Sequence, residues 1–292
     1  MASVDGALNP ESRLLNPVHQ LRCGKFRLQF TRPLIMGIVN VTPDSFSDGG
    51  QSARTEPAIA RARRLVEEGA DIIDIGGEST RPGSIGVTLE EERKRVLPVL
   101  EALAQLPVPV SVDTQKPAMM LDAIAAGASM INDINALRAP GAIATVARSD
   151  VALGVMHMRG TPADMQIDPK YDDVVAEVLA FLQERGAALS DAGIAMDRIV
   201  IDPGFGFGKT LDHNRELLRN LRRFSETGAA VMAGLSRKGM LGRITGREHP
   251  GERVVASAAA ALIAVQNGAH IVRVHDVAAT RDALAVLEFA GR

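Results

Sequence analysis

Short β-branched runs recur along the chain, each closed by a polar residue or glycine. Each is followed by a longer stretch in which apolar residues return every three to four positions. Eight of these runs read as strands, over 34–41, 70–75, 108–112, 129–133, 152–157, 199–202, 230–235 and 270–275. Runs such as Ile199-Val200-Ile201 are nearly continuous in apolar character, as parallel strands buried on both faces require. Between them the helical period predicts helices over 56–68, 89–104, 117–126, 143–148, 171–192, 211–223, 252–266 and 277–289. Their ends are punctuated. Thr88 and Glu91 have capping-box spacing, Pro117 suits a first helical turn, and Gly69, Gly127 and Gly268 fall where a helix must stop before the next strand.

Eight strand–helix units without a break in composition predict an α/β fold, a single (β/α)8 TIM barrel over residues 31–292. An open doubly wound sheet would use fewer strands and a dinucleotide fingerprint. Residues 1–30 precede the first strand as an N-terminal extension, and the alternation over 20–30 around Cys23-Gly24-Lys25 could fold as a hairpin closing the barrel bottom.

Composition narrows the partners. With 46% hydrophobic and 23% charged residues the chain is an ordinary globular protein, and 33 Lys+Arg against 35 Asp+Glu leave a net charge of −2. No basic excess points to nucleic acid or a membrane surface, so any anion must be held by a local cluster. The single Cys23 excludes an intramolecular disulfide and a cysteine metal site, which agrees with a reducing compartment. The N-terminal residues lack a signal-peptide pattern, and the longest apolar stretch, 254–265, falls short of the ~20 residues of a membrane span. A cytoplasmic protein with no membrane partner is expected.

In a barrel of this kind the site lies at the carboxyl ends of the strands, and here the residues placed there are polar. They are Asn40, the segment Glu78-Ser79-Thr80-Arg81, Asp113, Asn132, His157, Asp202, Ser236-Arg237-Lys238, Arg273 and His275. Any one of them could simply cap a helix, but the set is harder to explain so. Asp133 alternates with Asn132 and should face the other way, and His157 between two methionines reads best as a packed residue. Arg81, Lys238, Arg273 and His275 suit a phosphate-rich ligand, and Asn40 could give a neutral oxygen to Mg²⁺. Asp113 and Asp202 fit an anion pocket only if they face N–H donors, such as the amino group and ring N–H of a bicyclic aminopyrimidinone, along whose edge Asn132 can also bond. Phe46, Phe205 and Phe207 stand in glycine-flanked loops, where Phe46 and Phe207 would contact a flat aromatic substrate. The stretch Gly204 to Thr210 misses the phosphate-loop spacing by one residue and reads as a glycine-rich barrel loop.

The segments MGIVNVTPDSFSDGG (36–50) and DIIDIGGESTRPGS (71–84) closely resemble the two signature regions of bacterial dihydropteroate synthases. The likeness continues through VDTQKP, IND, MHMRGTPADMQ, IDPGFGFGK, GLSRKGM and RVHDV, and spans 36–290. It implies a cytosolic homodimer that joins 7,8-dihydropterin-6-ylmethyl diphosphate to 4-aminobenzoate. Carried over position by position, it puts Asp113, Asn132, Asp202 and Lys238 on the pterin. Asn40 with Mg²⁺, Thr80, Arg81, Arg273 and His275 would stand on the diphosphate side, and Phe46, Pro82, Phe207 and Ser236 around the aminobenzoate. Arg81, Lys238, Arg273 and His275 would carry catalysis. Two rivals are weighed against it: a pterin-binding methyltransferase barrel, which the Ser-Thr-Arg-Pro loop disfavours, and a binding module without catalysis, which would lack the phosphate-side residues. The loops 42–53 and 78–86, rich in Gly, Ser, Pro and Thr, are expected to move and close over the substrates.

Overall fold

The computed structural model describes residues 18–41, 51–81 and 83–291. Two short strands, β1 (Gln20–Cys23) and β2 (Phe26–Gln29), form an antiparallel hairpin, and eight parallel strands close a barrel in the order β10-β3-β4-β5-β6-β7-β8-β9. The barrel strands are β3 (Leu34–Asn40), β4 (Ile72–Gly76), β5 (Val110–Asp113), β6 (Met130–Asp133), β7 (Ala152–Met156), β8 (Ile199–Asp202), β9 (Ala230–Ala233) and β10 (Ile271–Val274). Helices α1 (Gln51–Glu67), α2 (Leu89–Leu103), α3 (Pro117–Ala125), α4 (Ala142–Ala147), α5 (Val174–Asp191), α6 (Leu211–Arg219), α7 (Arg222–Ser225), α8 (Gly239–Thr245), α9 (Val254–Gln266) and α10 (Val277–Ala290) alternate with them. This is the TIM barrel that the periodicity predicts.

The alternation of strand side chains sorts two cores. Outward residues such as Ile35, Val39, Ile73, Ile75, Val112, Ile131 and Val272 pack under the helices. Inward residues at the amino ends, Leu34, Met36, Ile72, Met130, Ala152, Val200, Ala230, Met232 and Ile271, fill the barrel with the hairpin's Leu21 and Cys23 packed beneath them. Among the described residues the hairpin is fastened to the segments that lead into the barrel strands: Gly24 N–H donates to the Asp150 carbonyl at 3.1 Å, Cys23 Sγ donates to the Ser129 carbonyl at 3.2 Å, and Arg22 pairs with Asp197 at 2.8 Å. It is the bottom closure that the alternation suggested.

Element boundaries differ where local chemistry decides them. Helix α1 begins at Gln51, five residues before the start that periodicity gives. The stretch 211–223 splits into α6 and α7 around Asn220, and α8, a seven-residue helix with glycine at its start and just past its end, has no counterpart in the sequence reading. Thr88 accepts from Glu91 N–H at 3.2 Å as a cap should, but the Glu91 carboxylate turns to Arg95 at 2.8 Å, so the reciprocal arm of the box is replaced by an ion pair. Gly69, Gly127 and Gly268 all take positive φ, the conformation that ends a helix cheaply only for glycine.

Candidate active site at the barrel mouth

Along β3, β4, β6, β8 and β10 the inward column turns from apolar to polar as the chain climbs, whereas in β7 it stays without a polar side chain. Ile72 is followed by Asp74 and Gly76, Met130 by Asn132, Val200 by Asp202, and Ile271 by Arg273. Ser111 and Asp113 form the inward pair of β5, and Asp113 stands in register with both Gly76 and Asn132. Register sets Asn40, Gly76, Asp113 and Asn132 in one row, Asp202 and Arg273 stand at or near the carboxyl ends of β8 and β10, and Ser236, Lys238 and His275 lie just beyond the ends of β9 and β10. Thr80 and Arg81 lie in the loop after β4, Arg81 exposed. Phe46 and Pro82, and residues 42–50 of the loop expected to close, lie outside the described residues.

The mouth is organised as ion pairs. Arg273 Nε donates to Asp74 Oδ2 at 2.6 Å and its Nη2 donates to Asp113 Oδ2 at 2.9 Å, so this arginine, which the resemblance put on the diphosphate side, also reaches the carboxylate of the pterin side. Asn132 Nδ2 donates to the same Asp74 oxygen at 3.3 Å. A Cβ on Gly154 would fall 2.6 Å from Asn132 Oδ1, so the glycine of the neighbouring strand makes room for this amide. Asp202 Oδ1 accepts from Gly204 N–H at 2.7 Å, while its other oxygen and Lys238 Nζ stand 3.7 Å and 3.8 Å from the place a Gly234 Cβ would take.

These surroundings set protonation. Burial pushes the Asp113 carboxyl well above the usual range, and the Arg273 guanidinium opposes it, while the charges of Asp74, Asp133 and Glu92 add to the rise. Asp202 is raised by burial as well, with Lys238 pulling the other way. Burial brings Lys238 down to about 8 despite Asp202. His275 is lowered to about 3 by burial and by Arg273 and Arg237, so its imidazole is neutral near pH 7 and acts as a hydrogen-bonding group rather than as the cation that charge sorting alone allowed. Its Nδ1 lies 3.1 Å from Ser236 Oγ.

An apolar wall stands beside this network. Met156, Met158, Met165 and Ile134 pack with Phe207, whose ring carries Lys238 Nζ at 4.6 Å from its centre. Phe205, by contrast, is fully buried in the outer core, the packing role that competed with function for it, and its carbonyl accepts from Lys238 Nζ. The glycine-rich loop after β8 comes so close to the end of β7 that a Cβ on Gly204, at φ +71°, would fall 1.9 Å from the His157 carbonyl oxygen. Lys209 of that loop is buried, with its Nζ 3.0 Å from His157 Nδ1 and donating to the Phe207 carbonyl at 3.0 Å. Asp133 faces away from the mouth and accepts the backbone N–H groups of Asn135 and Leu137, each at 2.7 Å. The loop after β4 has its own fastenings: Glu78 pairs with Lys116, Ser84 Oγ donates to the Ser79 carbonyl at 2.7 Å, and Gly83 N–H donates to the Pro162 carbonyl at 2.9 Å.

Two groups at this site escape the sequence reading, Asp74 and Lys209. Asp74 had a visible signal, a lone aspartate inside the buried run Ile72-Ile73-Asp74-Ile75 at the parity of Gly76. Lys209 had none, because only the folded loop shows where its ammonium goes.

Comparison with known proteins decides what family of sites this is. The model of the family described as pterin binding enzyme matches residues 36–275. The dihydropteroate synthase of Neisseria meningitidis serogroup B is 51% identical over 279 residues, covering 94% of this chain and 98% of the relative. The chain belongs to the dihydropteroate synthase family. Two solved dihydropteroate synthases show the same fold. That of Xanthomonas albilineans with 4-aminobenzoic acid superposes with a TM-score of 0.88 at 55% identity, covering 94% of this chain and 98% of that one. That of Burkholderia cenocepacia complexed with 7,8-dihydropteroate gives 0.84 at 51% identity, covering 93% and 96%. Dihydropteroate synthases are transferases, and the polar mouth described above is where a transferase on this fold works.

Proposed function

We propose that this barrel joins 7,8-dihydropterin-6-ylmethyl diphosphate to 4-aminobenzoate, giving 7,8-dihydropteroate and diphosphate. The observation that carries the reading is the placing of Asp113, which keeps slight exposure, and the buried Asp202 beside Asn132 in a mouth otherwise furnished with cations. A pocket for an anion alone gains nothing from them, whereas an aminopyrimidinone offers the paired N–H donors they accept. Membership of the family, with relatives solved holding 4-aminobenzoic acid and 7,8-dihydropteroate, supports the same assignment.

Asp113, Asn132 and Asp202 take the donor edge of the pterin, and Lys238 its carbonyl or ring-nitrogen side. The bond from the methylene carbon to the diphosphate oxygen breaks with its electron pair leaving on oxygen, and the lone pair of the aminobenzoate nitrogen closes the new C–N bond, its proton passing to solvent. No protein nucleophile is required. Thr80, Arg81 and Arg273 face the growing negative charge, helped by a hydrogen bond from neutral His275, while the fixed carboxylates oppose the positive charge that develops on the pterin side. Phe207 and Ser236 line the aminobenzoate slot, to which the resemblance also assigns Phe46 and Pro82.

Asn40 would hold Mg²⁺. A neutral oxygen donor at the end of β3, beside a Gly76 whose absent side chain leaves space between Asn40 and Asp113, fits an ion that keeps several waters and shares the phosphate oxygens of its substrate. Bound there, it would neutralise charge on the departing diphosphate.

The second copy of a homodimer would sit on α9 and α10. Val255, Ala259 and Ile263 form an exposed apolar stripe at four-residue spacing on α9, and Val286 and Phe289 are exposed on the adjoining α10, Phe289 at 84%. Among the described residues no helix is long and apolar enough to cross a membrane. A cytoplasmic enzyme is the reading that composition favours.

The test is diphosphate release with Mg²⁺, with and without 4-aminobenzoate, while dihydropteroate is followed by mass. Product that depends on both substrates is the expected result. Tight pterin binding with no release would instead favour the methyltransferase or the binding module.

A further inference from the structure

Asp74 sits in the middle of β4 with no exposure at all, one inward step before Gly76, which shares a register row with Asn40 and Asp113. It reaches two of the mouth residues. Arg273 Nε and Asn132 Nδ2 both donate to its Oδ2, at 2.6 Å and 3.3 Å. Its Oδ1 has no partner among the described residues, and neither does Ser111 Oγ, which stands in register with Asp74 on β5. For stability alone, apolar side chains of similar volume would often do as well as a buried ion pair. The charge is therefore best understood through what it holds.

Arginine presents its donors in a rigid plane, and Nε and Nη2 lie along one edge of that plane. Asp74 takes the Nε end of the edge and Asp113 the Nη2 end, so Arg273 is clamped between a fully buried carboxylate and one that keeps some exposure at the mouth. Only the second is in a position to meet a ligand. If Asp113 accepts the amino and ring N–H groups of a pterin, its bond to Nη2 competes with that ligand, and the guanidinium needs another anchor to keep its direction. Asp74 also decides how Asn132 lies: with a carboxylate on one side, the amide turns its NH₂ toward it, which leaves Oδ1 against Gly154.

We propose that Asp74 is a positioning residue that holds Arg273 by Nε from a fully buried position, so that Arg273 stays aimed at the mouth while Asp113 exchanges its Nη2 bond for the N–H donors of the pterin. The inference rests on the dihydropteroate synthase reading of the mouth. It assigns no contact between Asp74 and substrate, and it makes one fully buried carboxylate the common support of residues from β6 and β10.

A double-mutant cycle in the full chain separates this role from simple packing. Asp74→Asn keeps the volume and is expected to lower kcat/KM for the pterin diphosphate by about tenfold or more, through kcat, while KM for 4-aminobenzoate stays within about twofold. In an Arg273→Gln background the same replacement is expected to change kcat/KM by less than about threefold, because the side chain it acts through is gone. Equal losses in both backgrounds overturn the proposal. A second measurement needs no change at Asp74: the Nε–H proton resonance of Arg273, assigned by its disappearance in Arg273→Lys, is expected to stay slow to exchange with solvent when 6-hydroxymethyl-7,8-dihydropterin binds. Exchange that accelerates to the rate of exposed arginines on binding also overturns it. Failure of the parent reading looks different, since the unsubstituted protein would then form no product although the Arg273 signal remained protected.

Discussion

Arg237 and Asp276 form a two-pronged ion pair, Nε to Oδ2 at 2.9 Å and Nη2 to Oδ1 at 2.5 Å, that ties the loop after β9 to the start of α10. Arg237 holds a positive φ of 58°, unusual for a side chain of its size, and its N–H donates to Ser257 Oγ at 2.9 Å. The strain is held by these bonds, and it is stored between Ser236 and Lys238, the two residues assigned to substrate. Asp276→Asn is expected to raise KM for 4-aminobenzoate several-fold with a smaller effect on kcat, and to lower the melting temperature by a few degrees, as loss of about 1 kcal/mol would. Unchanged KM in steady-state assays would show that the pair does not position the slot.

Lys209 offers a cleaner separation of stability from function. Burial drives its pKa well below the ordinary lysine value, with Lys238 adding to the fall and Asp202 opposing it. Lys209→Met conserves volume and is expected to change unfolding free energy by less than about 1.5 kcal/mol. It frees the Phe207 carbonyl, however, so KM for 4-aminobenzoate should rise while pterin affinity measured by calorimetry holds. Equal losses for both ligands would count against a role confined to the Phe207 loop.

Lys238 sets an alkaline limit. With its pKa brought down to about 8, the free enzyme loses this cation as pH rises through that value, and kcat/KM for the pterin diphosphate is expected to fall on that side. In Lys238→Arg, whatever activity remains should show no limb near pH 8, since a guanidinium stays charged there. A limb that persists in that variant belongs to another group.

At the barrel bottom, His270 makes stability depend on pH. Its Nδ1 accepts from Val231 N–H at 3.0 Å, its ring meets Phe30 edge-on, and burial lowers its pKa to about 4. Because the folded pKa lies below the unfolded one, unfolding takes up a proton between them. Its contribution is whole above pH 6.5 and is lost as pH falls toward 4. Relative to His270→Asn, the unsubstituted protein should lose up to about 1.4 kcal/mol per pH unit across that window in urea titrations. Parallel curves for the two proteins would contradict the burial argument.

The apolar stripe gives a prediction about assembly. Val255→Glu combined with Phe289→Glu places charge on both exposed helices while touching no mouth residue, and sedimentation is expected to change from a dimer to a monomer. A dimer that survives both changes would move the interface elsewhere.

How far the residues announced this structure depends on the scale at which each signal acts. The barrel and its closing hairpin were legible because strand and helix periods are local and repeated, and Asp113, Asn132, Asp202, Arg273 and His275 because strand ends need only be counted. The break at Asn220 and the short helix α8 were not, since glycines and single turns carry no period. The partners of those mouth residues were hidden for a different reason. Asp74 and Arg273 are 199 positions apart, and only barrel closure brings β4 and β10 to opposite sides of one side-chain bond.

The change from apolar to polar along the inward columns of β3, β4, β6, β8 and β10 has a bearing on folding itself. Side chains alternate with a period of two, so a strand that slipped by one residue would turn Asp74, Asp113 or Arg273 out toward the helices and bring an isoleucine or valine to the mouth. Such a barrel would bury uncompensated charge in the helix layer, and it would lack its site for the same reason. In this chain the residues proposed to build the site therefore also check the register, and a molecule that assembled its eight strands wrongly would be unstable and would lack that site.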